Sequence, residues 1–236
     1  MRLKGSILIK LFVLQCLSIL ACSKEFDFFY FVQQLPAAFC ASRHGCCNPT
    51  TGKPGDDFGI HGLWPNYNAG GWPQNCDSQS HLNKTKISDL MARMQEDWPT
   101  LACPSADGMK FWGHEWGKHG TCSSLDQYNY FKAGLDLKNK SNLLQALKNA
   151  GIHPGNHYSL QSIKQAIEDS IGHEPYIECN LDHAGKHELF QVYLCVDKSA
   201  SEFINCPILP HGRGCGSTIE FPSFSSDYSS ESKAEL

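Results

Sequence analysis

Two short segments of the chain contain the side chains best suited to acid–base chemistry. The first, residues 58–65, reads FGIHGLWP, and the second, residues 111–122, reads FWGHEWGKHGTC. A single histidine is more often an ordinary surface or core residue, but ionisable groups clustered among tryptophans are typical of a site that tunes pKa values for proton transfer. The candidate catalytic residues are His61, His114, Glu115, Lys118 and His119.

The spacing within the second segment is that of a helix with two polar stripes. Successive helical residues turn by about 100°, which places His114 near Lys118 and Glu115 near His119. A stripe of cations beside a Glu/His stripe can surround a phosphate and donate hydrogen bonds to its oxygens. It can also keep the pKa of an imidazole near neutral pH or below. The same spacing also suits an ordinary helix with i,i+4 ion pairs, and the segment alone does not decide between these interpretations.

Two other kinds of chemistry fit these segments less well. His114-Glu115 begins the H-E-x-x-H motif of zinc proteases, but Lys118 stands where the second histidine ligand belongs. His119 comes five residues after His114, about 140° around a helix. A catalytic cysteine–histidine pair is also disfavoured, because the cysteines are better explained as disulfides. We therefore expect no metal and no cofactor.

The first 23 residues predict a secretory signal that is removed. Three basic residues precede an apolar run from Leu11 to Leu20, and small residues follow at Ala21 and Ser23. About ten apolar residues are too few for a membrane anchor, since a hydrocarbon core needs roughly 20. The mature chain is therefore expected in the secretory pathway, extracellular or vacuolar, with no membrane attachment.

Removal of the signal leaves an even number of cysteines. Cys16 and Cys22 are lost and ten remain, which in an oxidising compartment predicts five disulfides. Spacing alone leaves several hundred pairings open. Zinc is the competing use of cysteine, but the adjacent Cys46 and Cys47 fit no common zinc spacing.

The mature surface is predicted to be acidic and glycosylated. Without the signal the chain has 17 basic and 24 acidic residues, a net charge of −7 with the histidines neutral. Such a chain lacks the broad basic surface that gives non-specific affinity for long polyanions, so any contact with nucleic acid must be local, transient and stronger at low pH. The sequons at Asn83 and Asn139 are candidate glycan sites.

The chain shows no internal repeat or long linker, which predicts one domain over residues 24–224. Residues 225–236 are serine-rich and acidic and are expected to form a disordered tail. Its last four residues, KAEL, differ at one position from the K-D-E-L retention signal and lack the internal acid of that motif.

Apolar and β-branched runs alternate irregularly with helical patterns along the mature chain. Because the strands do not alternate strictly with helices, we expect an α+β fold around a central antiparallel sheet flanked by helices. The predicted strands are Glu25–Leu35, Phe58–Trp64 ending at Pro65, Tyr176–Asn180 and Leu189–Val196. The predicted helices are Ile87–Trp98, Asp126–Leu137, one that Ser141 caps and Gly151 ends, and one that Ser159 caps and Gly172 ends.

The two histidine segments resemble the two active-site segments of the ribonuclease T(2) family. The resemblance extends over nearly the whole mature chain, from the run FDFFYFVQQ that begins at Phe26 to the run IEFPSF that ends at Phe224. It is greatest with the plant S-like branch. Self-incompatibility members of the family are typically basic, whereas this mature chain is acidic, which favours an S-like housekeeping or stress role.

The resemblance implies a mechanism for RNA cleavage. It makes His119 the base that takes the ribose 2′-hydroxyl proton and His61 the acid that protonates the departing 5′-oxygen. Glu115 and Lys118 would stabilise the phosphorane, and His114 would hold phosphate. Because the nucleophile belongs to the substrate, single-stranded RNA should react to give 2′,3′-cyclic phosphate ends and DNA should not. The pH optimum is expected to be acidic.

The resemblance also implies base sites and a disulfide pattern. Low base specificity is expected, with Trp64 and its neighbours near one base. Around the other base it places Gln34, Thr100, Leu101 and Phe111. The implied disulfides are Cys40–Cys46, Cys47–Cys103, Cys76–Cys122, Cys179–Cys215 and Cys195–Cys206.

A different class of function uses the same scaffold without catalysis. A storage or lectin-like secreted protein could share the fold, but the intact His61, Glu115, Lys118 and His119 argue against it. We therefore expect a monomeric endoribonuclease whose partner is its RNA substrate.

Overall fold

The computed structural model describes residues 25–42, 45–182 and 184–223. The signal of residues 1–23 and the tail of residues 225–236 lie outside these ranges. The strands are β1 (Phe28–Gln34), β2 (Gly59–Asn66), β3 (Asn156–Ser159), β4 (Tyr176–Leu181), β5 (His187–Val196), β6 (Phe203–Ile204) and β7 (Thr218–Phe221). The α-helices are α1 (Pro36–Ala41), α2 (Met91–Asp97), α3 (Met109–Lys118), α4 (Gln127–Lys140), α5 (Leu143–Asn149) and α6 (Leu160–Ile171), with 3₁₀ segments at Lys84–Leu90 and Gly120–Cys122.

All seven strands belong to one sheet with the order β2-β1-β5-β7-β3, and β4 and β6 also pair with β5. Five of the pairings are antiparallel, and β5 meets β7 in parallel at the single pair Glu188 and Glu220. The expected α+β fold with a central antiparallel sheet is confirmed, and the parallel contact is an addition that the sequence did not indicate.

Strand β1 is buried on both faces, which explains its unbroken aromatic run. Phe29 and Phe31 belong to the main core between the sheet and the helices. Phe28, Tyr30 and Val32 point the other way into a smaller cluster with residues of β5. Each fully buried phenylalanine contributes about 1.5–3 kcal/mol through the hydrophobic effect, so β1 is a central stabilising element of the fold.

Several predicted element boundaries differ from the structure by one to three residues, and three differences have a clear physical reason. Strand β2 continues through Pro65, because it lies at the edge of the sheet and pairs only with β1, where a missing N–H costs no ladder bond. The helix predicted over Ile87–Trp98 is divided into a 3₁₀ turn and α2. Helix α5 is capped by Asn142, since the Ser141 hydroxyl donates back to Leu137 O and ends α4.

The capping of α6 is as predicted. The Ser159 hydroxyl accepts a hydrogen bond from the Ser162 N–H, and Gly172 ends the helix with a φ of 84°, a left-handed conformation that suits glycine. Among the described residues, no helix is long and apolar enough to cross a membrane.

Five disulfides join the chain in the pairs that the resemblance implies. Cys76–Cys122 links the segment after β2 to the 3₁₀ turn after α3. Cys179–Cys215 and Cys195–Cys206 connect β4 and β5 to the chain that leads to β7. Cys40–Cys46 and Cys47–Cys103 secure the segment between β1 and β2.

Candidate active site

Strand β2 and helix α3 place the candidate catalytic side chains around one cavity of about 380 Å³. His61 and Trp64 come from β2, and α3 with the residue after it supplies the others. Seven of the residues singled out from the sequence line this cavity: His61, Trp64, Phe111, His114, Glu115, Lys118 and His119. In the described part of the chain no group of three or more His, Cys, Asp or Glu side chains could hold a metal ion.

Glu115 and Trp64 are joined across the β2–α3 contact. The Trp64 indole N–H donates to Glu115 Oε2 at 2.8 Å. A Cβ on Gly62 would lie 2.0 Å from Trp64 Nε1 and 2.3 Å from Glu115 Oε2, so only glycine leaves room for this bond. Glu115 is 2 % exposed. Burial raises its pKa to about 7, while the Trp64 hydrogen bond and Lys118 act in the opposite direction.

His119 lies just beyond the end of α3 rather than inside the helix as its spacing suggested. It is the C-cap residue, and its N–H donates to Glu115 O at 3.0 Å. The imidazole stacks on the Trp64 indole, with ring centroids 5.2 Å apart and an interplanar angle of 26°. It is 6 % exposed. Burial, followed by the charges of Lys118, His114 and His61, lowers its pKa to about 3.

The geometry of His119 therefore favours a neutral imidazole. Its buried Nδ1 has no hydrogen-bond partner among the described residues. A neutral ring beside the cationic Lys118 can accept a proton, which is the role of a general base.

His61 also contacts Trp64. Its ring lies edge-on to the indole at 4.9 Å and is tilted against Phe111 at 6.1 Å. Its Nδ1 is 2.6 Å from Gln191 Oε1, and its carbonyl oxygen accepts from the Trp98 indole N–H. Burial lowers the pKa of His61, and the hydrogen bond with Gln191 and the charge of Glu178 act against that effect.

Tight packing fixes the direction of α3. Gly108 precedes the helix with a φ of 96°, and a Cβ there would lie 2.5 Å from the Trp112 ring. The Trp112 indole N–H donates to Trp98 O, which connects α3 to the end of α2. Beyond the helix, the Asn75 N–H donates to Lys118 O, next to the Cys76–Cys122 disulfide.

The predicted base-binding residues are not all brought together. Trp64 and Phe111 line the cavity, whereas Gln34, Thr100 and Leu101 lie outside its lining. Thr100 and Leu101 are buried in the segment after α2, where Leu101 O accepts from the Cys47 N–H. That segment is held at Cys103 by a disulfide. Gln34 pairs with Gly59 and Gln191 at the end of β1.

Several residues near the histidines were missed from the sequence. Gln191 and Glu178 extend from His61 into the sheet, and Tyr193 and Trp72 line the cavity. A polar glutamine inside the apolar run of β5, and a glutamate beside the buried Ile177 in β4, were the available signals. Neither is near the histidine motifs in sequence.

Comparisons with known proteins agree with one another. The model described as "Ribonuclease T2 family" matches residues 26–206. "Intracellular ribonuclease LX" of Solanum lycopersicum is 61% identical over 230 residues, 96% of this chain and 97% of that protein. "Extracellular ribonuclease LE" of the same species is 55% identical over 221 residues, 92% of this chain and 96% of that protein.

A solved structure gives the same result in three dimensions. The crystal structure of RNase NT in complex with 5′-AMP has 64% sequence identity and a TM-score of 0.84, and the match covers 85% of this chain and 100% of that chain.

Proposed function

This chain belongs to the ribonuclease T2 family and is an endoribonuclease, and we propose that it cleaves single-stranded RNA without a metal ion, by transesterification to 2′,3′-cyclic phosphate ends. The observation that carries the proposal is that two differently tuned imidazoles, His61 and His119, both contact the Trp64 ring at one cavity. Two such groups can move one proton to the enzyme and another to the leaving group.

Each side chain then has a role that its surroundings support. His119, held neutral by burial and neighbouring positive charge, removes the 2′-hydroxyl proton. His61 protonates the 5′-oxygen as it departs. Lys118 and Glu115 stabilise the charge-rich phosphorane, and His114 holds a phosphate oxygen. Acid–base groups contribute about 10²–10⁴-fold each to such rates, so these residues can supply a large part of the acceleration.

The aromatic lining favours base stacking over base reading. Trp64, Phe111 and the 55 % exposed Trp72 line the cavity with aromatic rings, and His119 stacks on one face of Trp64. Stacking accepts every base, since each has a π-face. We therefore propose low base specificity at this cavity. A base site formed by Gln34, Thr100 and Leu101 would be separate from it, since these residues lie outside its lining.

The pH dependence follows from the two imidazoles. Burial lowers the pKa of both imidazoles, that of His119 to about 3 and that of His61 below its ordinary 6.5. The competent form pairs a neutral His119 with a charged His61, and the lowered pKa of His61 restricts this form to the acid side of neutrality. We expect kcat/KM on a dinucleoside phosphate to follow a bell with its maximum below neutrality, and an optimum above pH 7 would contradict the assignment.

We further propose that the mature chain is a glycosylated monomer of the secretory pathway that does not cleave DNA. Asn83 and Asn139 are both exposed, which supports glycan attachment there. The relatives named above include one called intracellular and one called extracellular, and a vacuolar or extracellular destination is proposed for this chain.

Analysis of the reaction products tests the mechanism. RNA and single-stranded DNA of the same base sequence are incubated with the enzyme in excess EDTA, and the fragments are weighed by mass spectrometry. We expect RNA fragments with 2′,3′-cyclic phosphate ends and intact DNA. Two results would show that water rather than the ribose 2′-hydroxyl attacks. One is RNA fragments with 5′-phosphate ends, and the other is cutting of both RNA and DNA that occurs only when EDTA is left out.

A further inference from the structure

A line of polar side chains runs from His61 into the sheet. His61 Nδ1 lies 2.6 Å from Gln191 Oε1, and the Gln191 amide N–H donates to Glu178 Oε2 at 3.3 Å. The Tyr193 hydroxyl donates to the same carboxylate oxygen at 2.7 Å. Gln191 is only 6 % exposed. The line therefore connects a residue at the cavity to a carboxylate on a neighbouring strand.

The donors and acceptors along this line fix one another. An ionised carboxylate can only accept hydrogen bonds, so the Gln191 –NH₂ group must face Glu178. The Gln191 carbonyl oxygen then faces His61 and can only accept, which makes His61 Nδ1 the donor in both charge states of the ring. The proton that His61 exchanges with a substrate is therefore carried by Nε2.

The position of Glu178 is itself fixed by several contacts. Glu178 and Gln191 are direct cross-strand partners in β4 and β5, and the register shifts immediately after Glu178. Its Oε1 accepts from the Arg213 N–H at 3.3 Å, and a Cβ on Gly212 would lie 3.0 Å from the carboxylate carbon. Irregularities of this kind redirect side chains beside active sites.

The charged groups that act on His61 come from two sides. Glu178, on β4, favours the imidazolium, whereas Lys118 and His114, on α3, disfavour it. His119 shares the cavity and its own ionisation is opposed by His61. Glu178 thus supplies negative charge behind a ring that otherwise faces cationic neighbours.

We propose that Glu178 and Gln191 are positioning residues that hold His61 as the Nδ1–H tautomer and sustain its charged form. They act through His61 and contact no reacting atom. The proposal rests on the proposed role of His61 as general acid. If the ring were not held by its Nδ1–H, Nε2 would no longer be directed at the leaving oxygen. Partners that orient a metal-binding imidazole change affinity or activity by about 10–100-fold, and we expect an effect of the same order here.

Nitrogen NMR of the histidine side chains provides a readout that does not depend on activity. In the wild type, neutral His61 should show a protonated Nδ1 and an unprotonated Nε2. Gln191→Ala should give a mixture of tautomers. Glu178→Gln, which keeps the shape and removes the charge, should lower the pKa of His61. Glu202→Gln is the matched control, because it removes an exposed carboxylate paired with Lys140.

Kinetics on a dinucleoside phosphate complete the experiment. Gln191→Ala and Glu178→Gln should each lower kcat by roughly tenfold or more with little change in KM. Glu178→Gln should also move the alkaline limb of the pH–rate profile to lower pH.

An Nε2–H tautomer of His61 in the wild type would overturn the proposal. His61 signals and titrations in both variants equal to those of Glu202→Gln would do the same. Altered His61 signals with unchanged turnover would support the positioning by Glu178 and Gln191 and contradict the proposed role of His61 as general acid. If Gln191→Ala fails to fold, the wild-type tautomer still decides.

Discussion

At the scale of single residues, the environment of Glu115 depends on the absence of a side chain at Gly62. The Trp64–Glu115 hydrogen bond passes through the space that a Cβ at this position would occupy. His119 stacks on the indole that makes this bond, and His61 lies edge-on to it. A single methyl group at residue 62 therefore bears on all three ionisable groups.

Gly62→Ala should separate Trp64 from Glu115 and reduce kcat/KM by at least about 10-fold, since overpacking of a dense site forces side chains off their positions. Gly113→Ala, on α3, is the control, because a Cβ there meets nothing within 4 Å. It should keep full activity and fold at least as stably. Equal kinetics for the two variants, measured with purified protein on RNA, would contradict the packing argument.

The sequence indicated the five ionisable residues because their types cluster within two short segments. It could not indicate Gln191 or Glu178, which reach His61 only through the pairing of β4 with β5. The sequence also placed His119 inside a helix, whereas this residue is the C-cap, because the i,i+4 spacing of Glu115 and His119 is the same in both cases. The clustering of side chains along the chain was predictable, and contacts between distant strands were not.

At the scale of elements, the site depends on how β2 and α3 are held together. The Tyr130 hydroxyl donates to Leu63 O and ties α4 to β2. The Cys76–Cys122 disulfide closes a loop between residues 46 positions apart, from the end of the β2 segment to the end of the α3 segment. A covalent link at this point limits the motion of the two segments relative to each other.

Removing that link should cost more stability than removing the short Cys40–Cys46 loop, whose residues are 6 positions apart. Loop-entropy reasoning gives roughly 4 kcal/mol for the longer loop and roughly 2 kcal/mol for the shorter one. Denaturant unfolding of the Cys76→Ser/Cys122→Ser and Cys40→Ser/Cys46→Ser variants measures both free energies of unfolding. A larger loss in the short-loop variant would refute the entropic account.

Most strands and helices were predictable from hydrophobic pattern and capping residues. The aromatic run of β1 and the Ser159 and Gly172 signals of α6 are clear examples. The β2 boundary was missed because the edge position that tolerates Pro65 is a property of the sheet. The cap at Asn142 was missed because Ser141 satisfies its hydroxyl within the preceding helix and with Gln33 instead.

At the scale of the whole molecule, buried carboxyl groups should make stability depend on pH. Glu188 on β5 is 4 % exposed. Burial first, and then Glu220 and Asp182, raise its pKa to about 7, while a hydrogen bond with Asn180 acts against them. Folded Glu188 thus retains a proton at pH values where the unfolded chain, with a pKa near 4.5, has released it.

The sign of the effect follows from this difference. A folded-state pKa above the unfolded value favours folding below about pH 4.5, and this contribution is lost as the pH rises through about 7. The lowered pKa values of His61 and His119 act in the opposite sense, so the effect of Glu188 is measured as a difference from wild type. Between pH 5 and pH 8, Glu188→Gln should show a smaller fall in Tm than wild type, while the similarly raised pKa of Glu115 contributes to both proteins. Glu202→Gln, exposed and ion-paired, should behave as wild type, and an equal fall in both variants would rule out Glu188 as a source.

The central claim is that His61 delivers a proton to the leaving oxygen and His119 removes one from the ribose. A dinucleotide whose 5′-bridging oxygen is replaced by sulfur separates the two roles, because a thiolate departs without protonation. On the oxygen substrate, His61→Ala and His119→Ala should each lose at least about 10²-fold in kcat/KM. On the sulfur substrate, His61→Ala should recover most of the wild-type rate while His119→Ala stays slow; equal recovery of both variants, or recovery of His119→Ala alone, would contradict the assignment.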